Sequence, residues 1–200
     1  MTRICVFAGS KFGARPAFRT AAEGLGRGLA ERHVGLVYGG AQIGLMGALA
    51  DAVLAGGGQV TGVIPESLVA REVAHTRLDD LRIVPTMHVR KALMADLADA
   101  FVALPGGWGT FDELFEILTW SQLGLHRKPV GVLNVDGYFD PLLALIAHSV
   151  DEGFVSRTAA QLITVDADPA LLLDRLMALP KPPALSSVAG GSVPPAGDTR

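Results

Sequence analysis

The stretch from Asp99 to Trp120, DAFVALPGGWGTFDELFEILTW, decides the fold. It begins as a short apolar run, turns at Pro105–Gly107 and continues with helical spacing, so it predicts a strand, a glycine turn and a helix. Such a turn leaves the backbone N–H groups of Gly107–Gly109 in front of the positive end of the helix. This arrangement favours binding of an anion such as phosphate.

The helix is predicted to begin at Thr110, a residue type favoured at N-caps, and Glu113 follows at the spacing of a capping box. A cap explains both residues without a functional role, and a ligand site is the alternative. One face is predicted to pack in the core and carries Phe111, Leu114, Phe115 and Leu118. The opposite face is predicted to meet a ligand, a second subunit or both, and it carries Glu113, Glu116, Ile117 and Trp120.

The composition of the 200-residue chain is that of one globular domain, because half of the residues are apolar and 18% are charged. We expect one folded domain over residues 1–180 and disorder in the Pro-, Gly- and Ser-rich residues 181–200. The sequence has neither a membrane-spanning apolar run nor a leader pattern, so a cytoplasmic location is expected. The single cysteine, Cys5, is expected in the core.

Strands alternate with helices along the chain. Strands are predicted at 3–8, 34–38, 59–64, 81–84, 100–104, 130–135 and 162–165, with helices at 16–32, up to 55, 86–98, from 110, 139–153 and 169–179. This alternation predicts an α/β, Rossmann-like fold with a doubly wound, mainly parallel sheet flanked by helices. Ligands bind such sheets at the carboxyl ends of the strands, near the point where the strand order reverses. The loops gathered there are 9–10, 39–47, 86–91 and 106–113.

Two further segments carry candidate binding residues. The glycines of residues 39–47 have the spacing G-G-x-x-x-G-x-x-G, which fits a phosphate loop and close helix-to-sheet packing equally well. The helix at 86–98 places Arg90 and Lys91 between Met87 and Met94 on one face, which is either a solvated basic face or a site for a phosphate or a base edge. Trp108 either plugs the glycine turn or stacks on a ligand ring.

Several function classes lack their signals. A formal charge of -3 gives no basic field for nucleic acid, so a polymeric nucleic acid partner is not expected. The five histidines show no metal-ligand spacing, and no metal site is expected. The chain also lacks the elbow motif of serine hydrolases and the P-loop lysine of NTPases.

Two separated motifs identify a family resemblance. PGGWGTFDE at 105–113 and MHVRKALM at 87–94 resemble the PGGxGTxxE and R-K signature of the Lonely Guy (LOG) family, the cytokinin riboside 5'-monophosphate phosphoribohydrolases. The similarity continues through YGGAQIGLMG, GVIPESL and TWSQLGLHRKPVGVLNVDGYFDPLL, although Ala8 stands where the family usually has a cysteine. Members are often labelled lysine decarboxylases, but no lysine here is placed for a pyridoxal Schiff base.

The resemblance implies cleavage of the N-glycosidic bond of N6-substituted adenosine 5'-monophosphates, without a metal or organic cofactor, in a homodimer with the site near the interface. It makes Arg90 and Glu113 the catalytic pair, and both also contact substrate. The other implied substrate contacts are Ser10, Gly40, Gly47, Glu72, Met87, Lys91, Gly107, Trp108, Gly109, Thr110, Phe111, Asp112 and Thr119. Two alternatives stay open: a non-catalytic nucleotide carrier of the same fold, and a general nucleosidase acting on AMP and other nucleotides.

Overall fold

Seven parallel strands form one sheet in the computed structural model, which describes residues 2–69, 74–78 and 80–179. The strands are β1 (Arg3–Phe7), β2 (Gly35–Tyr38), β3 (Val60–Pro65), β4 (Asp80–Val84), β5 (Ala100–Ala103), β6 (Val130–Leu133) and β7 (Ile163–Asp166). Their order is β4-β3-β2-β1-β5-β6-β7. The order reverses between β1 and β5, so the predicted doubly wound α/β architecture is confirmed.

Helices connect the strands and cover both faces of the sheet. They are α1 (Pro16–Glu31), α2 (Gly44–Ala55), α3 (Glu66–Val69), α4 (Met87–Leu97), α5 (Trp108–Gln122), α6 (Asp140–Asp151), α7 (Arg157–Ala160) and α8 (Pro169–Ala178), with a 3-10 turn at Val135–Gly137. Proline in the first turn starts α1 and α8, where a missing N–H costs nothing. Thr86 caps α4 by accepting the Val89 N–H at 3.2 Å.

The hydrophobic core is divided by the sheet into two layers. Successive residues of β1 enter opposite layers: Ile4 and Val6 pack with α1, α2 and α8, whereas Cys5 and Phe7 pack with α4 and α5. A strand buried on both faces needs a continuous apolar run, and this explains why β1 was recognisable. Cys5 is fully buried, as predicted, and burial raises the pKa of its thiol well above the usual value.

Most predicted elements agree with the structure to within about two residues. The short helix α7 was not predicted, because its four residues lie in a segment without apolar periodicity. The predicted disorder of residues 181–200 concerns a segment outside the described residues.

Candidate active site

A cavity lies where the strand order reverses, at the carboxyl ends of β1 and β5. The Gly9 N–H donates to the Pro105 carbonyl at 3.1 Å, which joins the two loops. The cavity has a volume of about 330 Å³, and it is lined by residues 9–13, Phe18, Leu45, residues 105–107 and Tyr138. Of the predicted site residues, Ser10 and Gly107 line it, whereas Arg90 and Glu113 are not among its lining residues.

The helix after the glycine turn begins earlier than predicted. Gly107 is its N-cap and Trp108 its first residue, so the prediction that Thr110 caps the helix in a box with Glu113 is wrong. The reason is steric, because Thr110 is 3% exposed and its side chain packs closely on Gly106. A Cβ on Gly106 would overlap the threonine hydroxyl.

This shift extends the expected anion cradle by one residue. In an α-helix the first N–H groups have no partner within the helix. In α5 these belong to Trp108, Gly109 and Thr110, since the Phe111 N–H already donates to the Gly107 carbonyl at 3.1 Å. The N–H groups without a partner in the helix therefore extend to Thr110, one residue beyond the predicted 107–109.

The core face of α5 also differs from the prediction. Its buried residues are Thr110, Leu114 and Ile117, whereas Phe115 is 41% exposed. The predicted places of Phe115 and Ile117 are therefore exchanged. The helix carries apolar residues on most of its circumference, so periodicity alone allowed two core faces. Trp120 is partly buried against the same core layer.

Arg90 is a buried cation at the start of α4. Only 6% of it is exposed, so the alternative of a solvated basic face is wrong for this residue. Its Nε donates to the Val63 carbonyl at 3.0 Å and its Nη2 donates to the Gly39 carbonyl at 3.1 Å. A third contact joins Nη1 to the Met87 sulfur at 3.4 Å. The guanidinium is therefore fixed against the carboxyl ends of β2 and β3.

Arg90 and Glu113 are brought into the same region from α4 and α5. Both charges act on the buried Cys5 thiol: after burial itself, the Glu113 carboxylate raises the pKa of the thiol and the Arg90 guanidinium lowers it. Glu113 itself is half-buried. The two residues that the signature pairs thus act on the same buried group of β1, although they are 23 positions apart in sequence.

Lys91 ties α4 to α5. Its Nζ lies 3.0 Å from the Asp112 carboxylate and 3.1 Å from the Glu116 carboxylate. Burial lowers the pKa of this lysine, but the two carboxylates raise it by more, so the pKa lies above its usual value. Lys91 and Asp112 therefore have a structural role in fixing the two helices that carry Arg90 and Glu113.

The glycines after β2 have packing roles. A Cβ on Gly39 would overlap the Arg90 guanidinium, and one on Gly44 would overlap the backbone of Ser10. A Cβ on Gly47 would likewise overlap the Gln42 carbonyl. Gly40 has a positive φ and packs against β3. Close packing therefore accounts for the absence of side chains at these positions, and the substrate contacts predicted for Gly40 and Gly47 stay predictions.

The other predicted site residues are more dispersed. Trp108 is 90% exposed, so it does not plug the turn. Thr119 is exposed and donates its hydroxyl hydrogen to the Phe115 carbonyl at 2.7 Å, one helical turn back. Glu72 lies outside the described residues.

Tyr138 and Lys11 are polar residues of the cavity that the sequence analysis did not place at the site. The Tyr138 hydroxyl donates to the Gly106 carbonyl and thereby braces the glycine turn. Lys11 adds a cation to the cavity wall. Tyr138 follows β6, the neighbour of β5 in the sheet. The rule that ligands bind at the carboxyl ends of the strands could therefore have predicted it.

The described part of the chain contains neither a candidate metal cluster nor a candidate membrane-spanning helix. No group of three or more His, Cys, Asp or Glu side chains is placed to hold a metal ion there. Within the same residues, no helix is both long and apolar enough to cross a membrane.

An open parallel sheet with a glycine turn at its reversal point defines a Rossmann-type α/β protein. Solved structures agree: the molybdenum cofactor carrier protein MCP from Chlamydomonas reinhardtii superposes with a TM-score of 0.67 at 23% identity, covering 89% of this chain and 99% of that one. The molybdenum cofactor binding protein from Rippkaea orientalis gives a TM-score of 0.67 at 21% identity, covering 88% and 95%. These similarities establish the fold alone.

Sequence comparison defines the family. The family described as "Possible lysine decarboxylase" matches residues 46–176. The chain is 54% identical over 161 residues to cytokinin riboside 5'-monophosphate phosphoribohydrolase LOG7 of Arabidopsis thaliana, covering 80% of this chain and 74% of that protein. It is 52% identical over 174 residues to LOG2 of the same plant, covering 87% and 82%. The chain belongs to the family of these phosphoribohydrolases, and the predicted LOG resemblance is confirmed.

Proposed function

We propose that this protein hydrolyses the N-glycosidic bond of N6-substituted adenosine 5'-monophosphates, releasing the free base, a cytokinin, and ribose 5-phosphate. The identity to phosphoribohydrolases over most of the chain supports the reaction. The observation that carries the residue assignment is the double ion pair of Lys91 with Asp112 and Glu116, which joins α4 to α5 at the positions next to Arg90 and Glu113.

The substrate phosphate is proposed to bind at the first N–H groups of α5, those of Trp108, Gly109 and Thr110. The helix dipole adds positive potential at this point, and Lys11 adds a charge in the adjoining cavity. A phosphate held there fixes the position of the ribose ring relative to the catalytic groups. The other proposed contacts include Ser10, Met87, Gly107, Phe111 and Thr119.

Glu113 is proposed to act on the sugar. Breaking the ribosyl C–N bond builds positive charge on the ring, as in other glycosyl transfers. A carboxylate near the anomeric carbon stabilises that charge or attacks the carbon. Water then supplies the hydroxyl group of ribose 5-phosphate and the proton that the departing base takes up.

Arg90 is proposed to act as a fixed positive charge. An arginine side chain stays protonated and is therefore a poor proton donor. Its contacts with Gly39 and Val63 hold the guanidinium in one place. From there it orients the Glu113 carboxylate or stabilises electron density on the departing base through a charged hydrogen bond.

A second copy of the chain is proposed to cover the exposed face of α5. Trp108, Phe115 and Leu145 are large apolar side chains that remain 90%, 41% and 55% exposed. With residues of α6 they line a continuous apolar groove that reaches Tyr138 of the cavity wall. An apolar surface of this kind is typical of a subunit contact. The homodimer would then have its interface beside the site.

Product analysis tests the proposed reaction. The purified protein is incubated with AMP and with an N6-substituted AMP, and free base is measured by chromatography, with Glu113→Gln as the control. Release of base mainly from the substituted nucleotide supports cytokinin activation, and equal release indicates a general nucleosidase. Nucleotide binding without release of base identifies a carrier and contradicts the proposal. The cytoplasmic location stays a prediction from the sequence.

A further inference from the structure

We propose that His75 is a positioning residue for Arg90 and acts through the turn at Gly39 and Gly40. This inference rests on the proposed function, in which Arg90 lies beside the reacting atoms. His75 precedes β4 and was not singled out by any sequence motif. It is nevertheless completely buried, which is uncommon for a histidine outside a defined role.

The backbone of His75 holds the turn that follows β2. Its N–H donates to the Gly40 carbonyl at 2.9 Å, and the neighbouring Ala74 forms an isolated antiparallel bridge with Ala41. The preceding carbonyl of the same turn, that of Gly39, accepts the Nη2 hydrogen of Arg90 at 3.1 Å. Two consecutive carbonyls therefore connect His75 to the guanidinium.

The side chain of His75 anchors this arrangement to α2. Its Nε2 lies 3.0 Å from the Asp51 carboxylate, and its Nδ1 lies 3.3 Å from the backbone nitrogen of Arg77. A backbone N–H can only donate, so Nδ1 is the acceptor and Nε2 carries the proton. Both ring nitrogens of this buried side chain thus have a hydrogen-bond partner.

Asp51 on α2 contacts both His75 and Arg77. The Arg77 guanidinium pairs with the same carboxylate that binds His75. Its charge also reaches the last residue of β2: burial first, and Asp51 second, raise the pKa of the Tyr38 hydroxyl. The carboxylate therefore joins α2 to the segment before β4.

Loss of the His75 side chain is expected to loosen the turn while leaving the second anchor of Arg90, the Val63 carbonyl, in place. Arg90 would then still be present but less well placed for the transition state. Partners that orient metal ligands typically contribute about 10- to 100-fold to affinity or activity, and we take the same range by analogy. We therefore expect His75→Ala to lower kcat by about that factor, with a much smaller change in KM.

The test compares kcat, KM and melting temperature for His75→Ala, His75→Gln, Arg90→Lys and the double variant His75→Ala/Arg90→Lys. Glutamine retains an N–H donor toward Asp51 and should restore most of kcat. Arg90→Lys already loses the paired contacts of the guanidinium with the Gly39 and Val63 carbonyls. Adding His75→Ala should therefore lower kcat little further. Leu172→Ala, in the core next to β6, is the control for lost stability and should keep the wild-type kcat.

Three results would overturn the inference. They are full activity of His75→Ala, the same fold-loss from His75→Ala in the wild-type and Arg90→Lys backgrounds, or an equal loss of kcat in Leu172→Ala. Failure of the proposed function would look different, because wild-type protein would then release no base from any of the nucleotides.

Discussion

Gly39→Ala is a sharp test of how Arg90 is held. The added methyl group would overlap Nη2 of the guanidinium and lie 3.1 Å from the Met46 sulfur. The backbone of Gly39 has no positive φ, so alanine introduces no conformational strain there. The substitution therefore acts through this overlap, and Arg90 has to leave the Gly39 carbonyl.

The expected magnitude follows from the contacts that are lost. A hydrogen bond to a charged group contributes about 1.5–3 kcal/mol, and overpacking a core costs about 1–3 kcal/mol. Gly39→Ala should lower the free energy of unfolding within that range. If a comparable amount of transition-state stabilisation is lost, kcat/KM falls by about 10- to 100-fold, because each 1.36 kcal/mol is a factor of ten.

The assay measures base release from AMP or its N6-substituted analogue, together with thermal unfolding. Gly24→Ala on α1 is the matched control, because its Cβ would only make an ordinary contact of 3.4 Å with Pro169. A helical Gly→Ala change of this kind should preserve activity and raise stability by up to about 1 kcal/mol. Wild-type activity in Gly39→Ala, with Arg90→Ala inactive, would refute the reasoning.

Three further predictions follow from the site and its surroundings. Glu113→Gln should lower kcat by about 10² to 10⁴ with an unchanged melting temperature, and wild-type kcat would contradict its catalytic role. Phe115→Asp should convert a dimer to a monomer in sedimentation, whereas a wild-type protein that is already monomeric and fully active disproves the interface. Burial lowers the pKa of His126 below its ordinary 6.5, so the unfolded chain binds a proton more readily and stability falls as the pH drops through 6.5. His126→Gln should weaken that fall in melting temperature, and His148→Gln, an exposed control, should not.

The strands and the edge of the sheet that carries the site were predictable from local sequence. The five inner strands are buried, mostly apolar runs, and each loop of the site follows a strand directly, so local sequence contains that information. The LOG signature paired Arg90 with Glu113, and in the structure their sequence neighbours Lys91 and Asp112 form an ion pair.

The details that failed depend on contacts between distant segments. The start of α5 depends on how Thr110 packs on Gly106. The orientation of the helix depends on which of its apolar faces packs against the sheet. The burial of Arg90 depends on the carbonyls of Val63 in β3 and of Gly39 after β2. The His75 side chain contacts Asp51, which lies 24 residues earlier in the sequence. No periodicity within one segment carries such information.

Trp108 gives the protein a built-in optical reporter. The chain has two tryptophans, and Trp120 is partly buried whereas the Trp108 indole stands almost wholly in water at the head of α5. Its fluorescence should therefore be red-shifted in an isolated chain and move to shorter wavelength when the neighbouring surface becomes covered. A Trp108→Phe variant isolates the Trp120 signal, so dilution and nucleotide titrations can follow assembly and ligand binding without any attached dye.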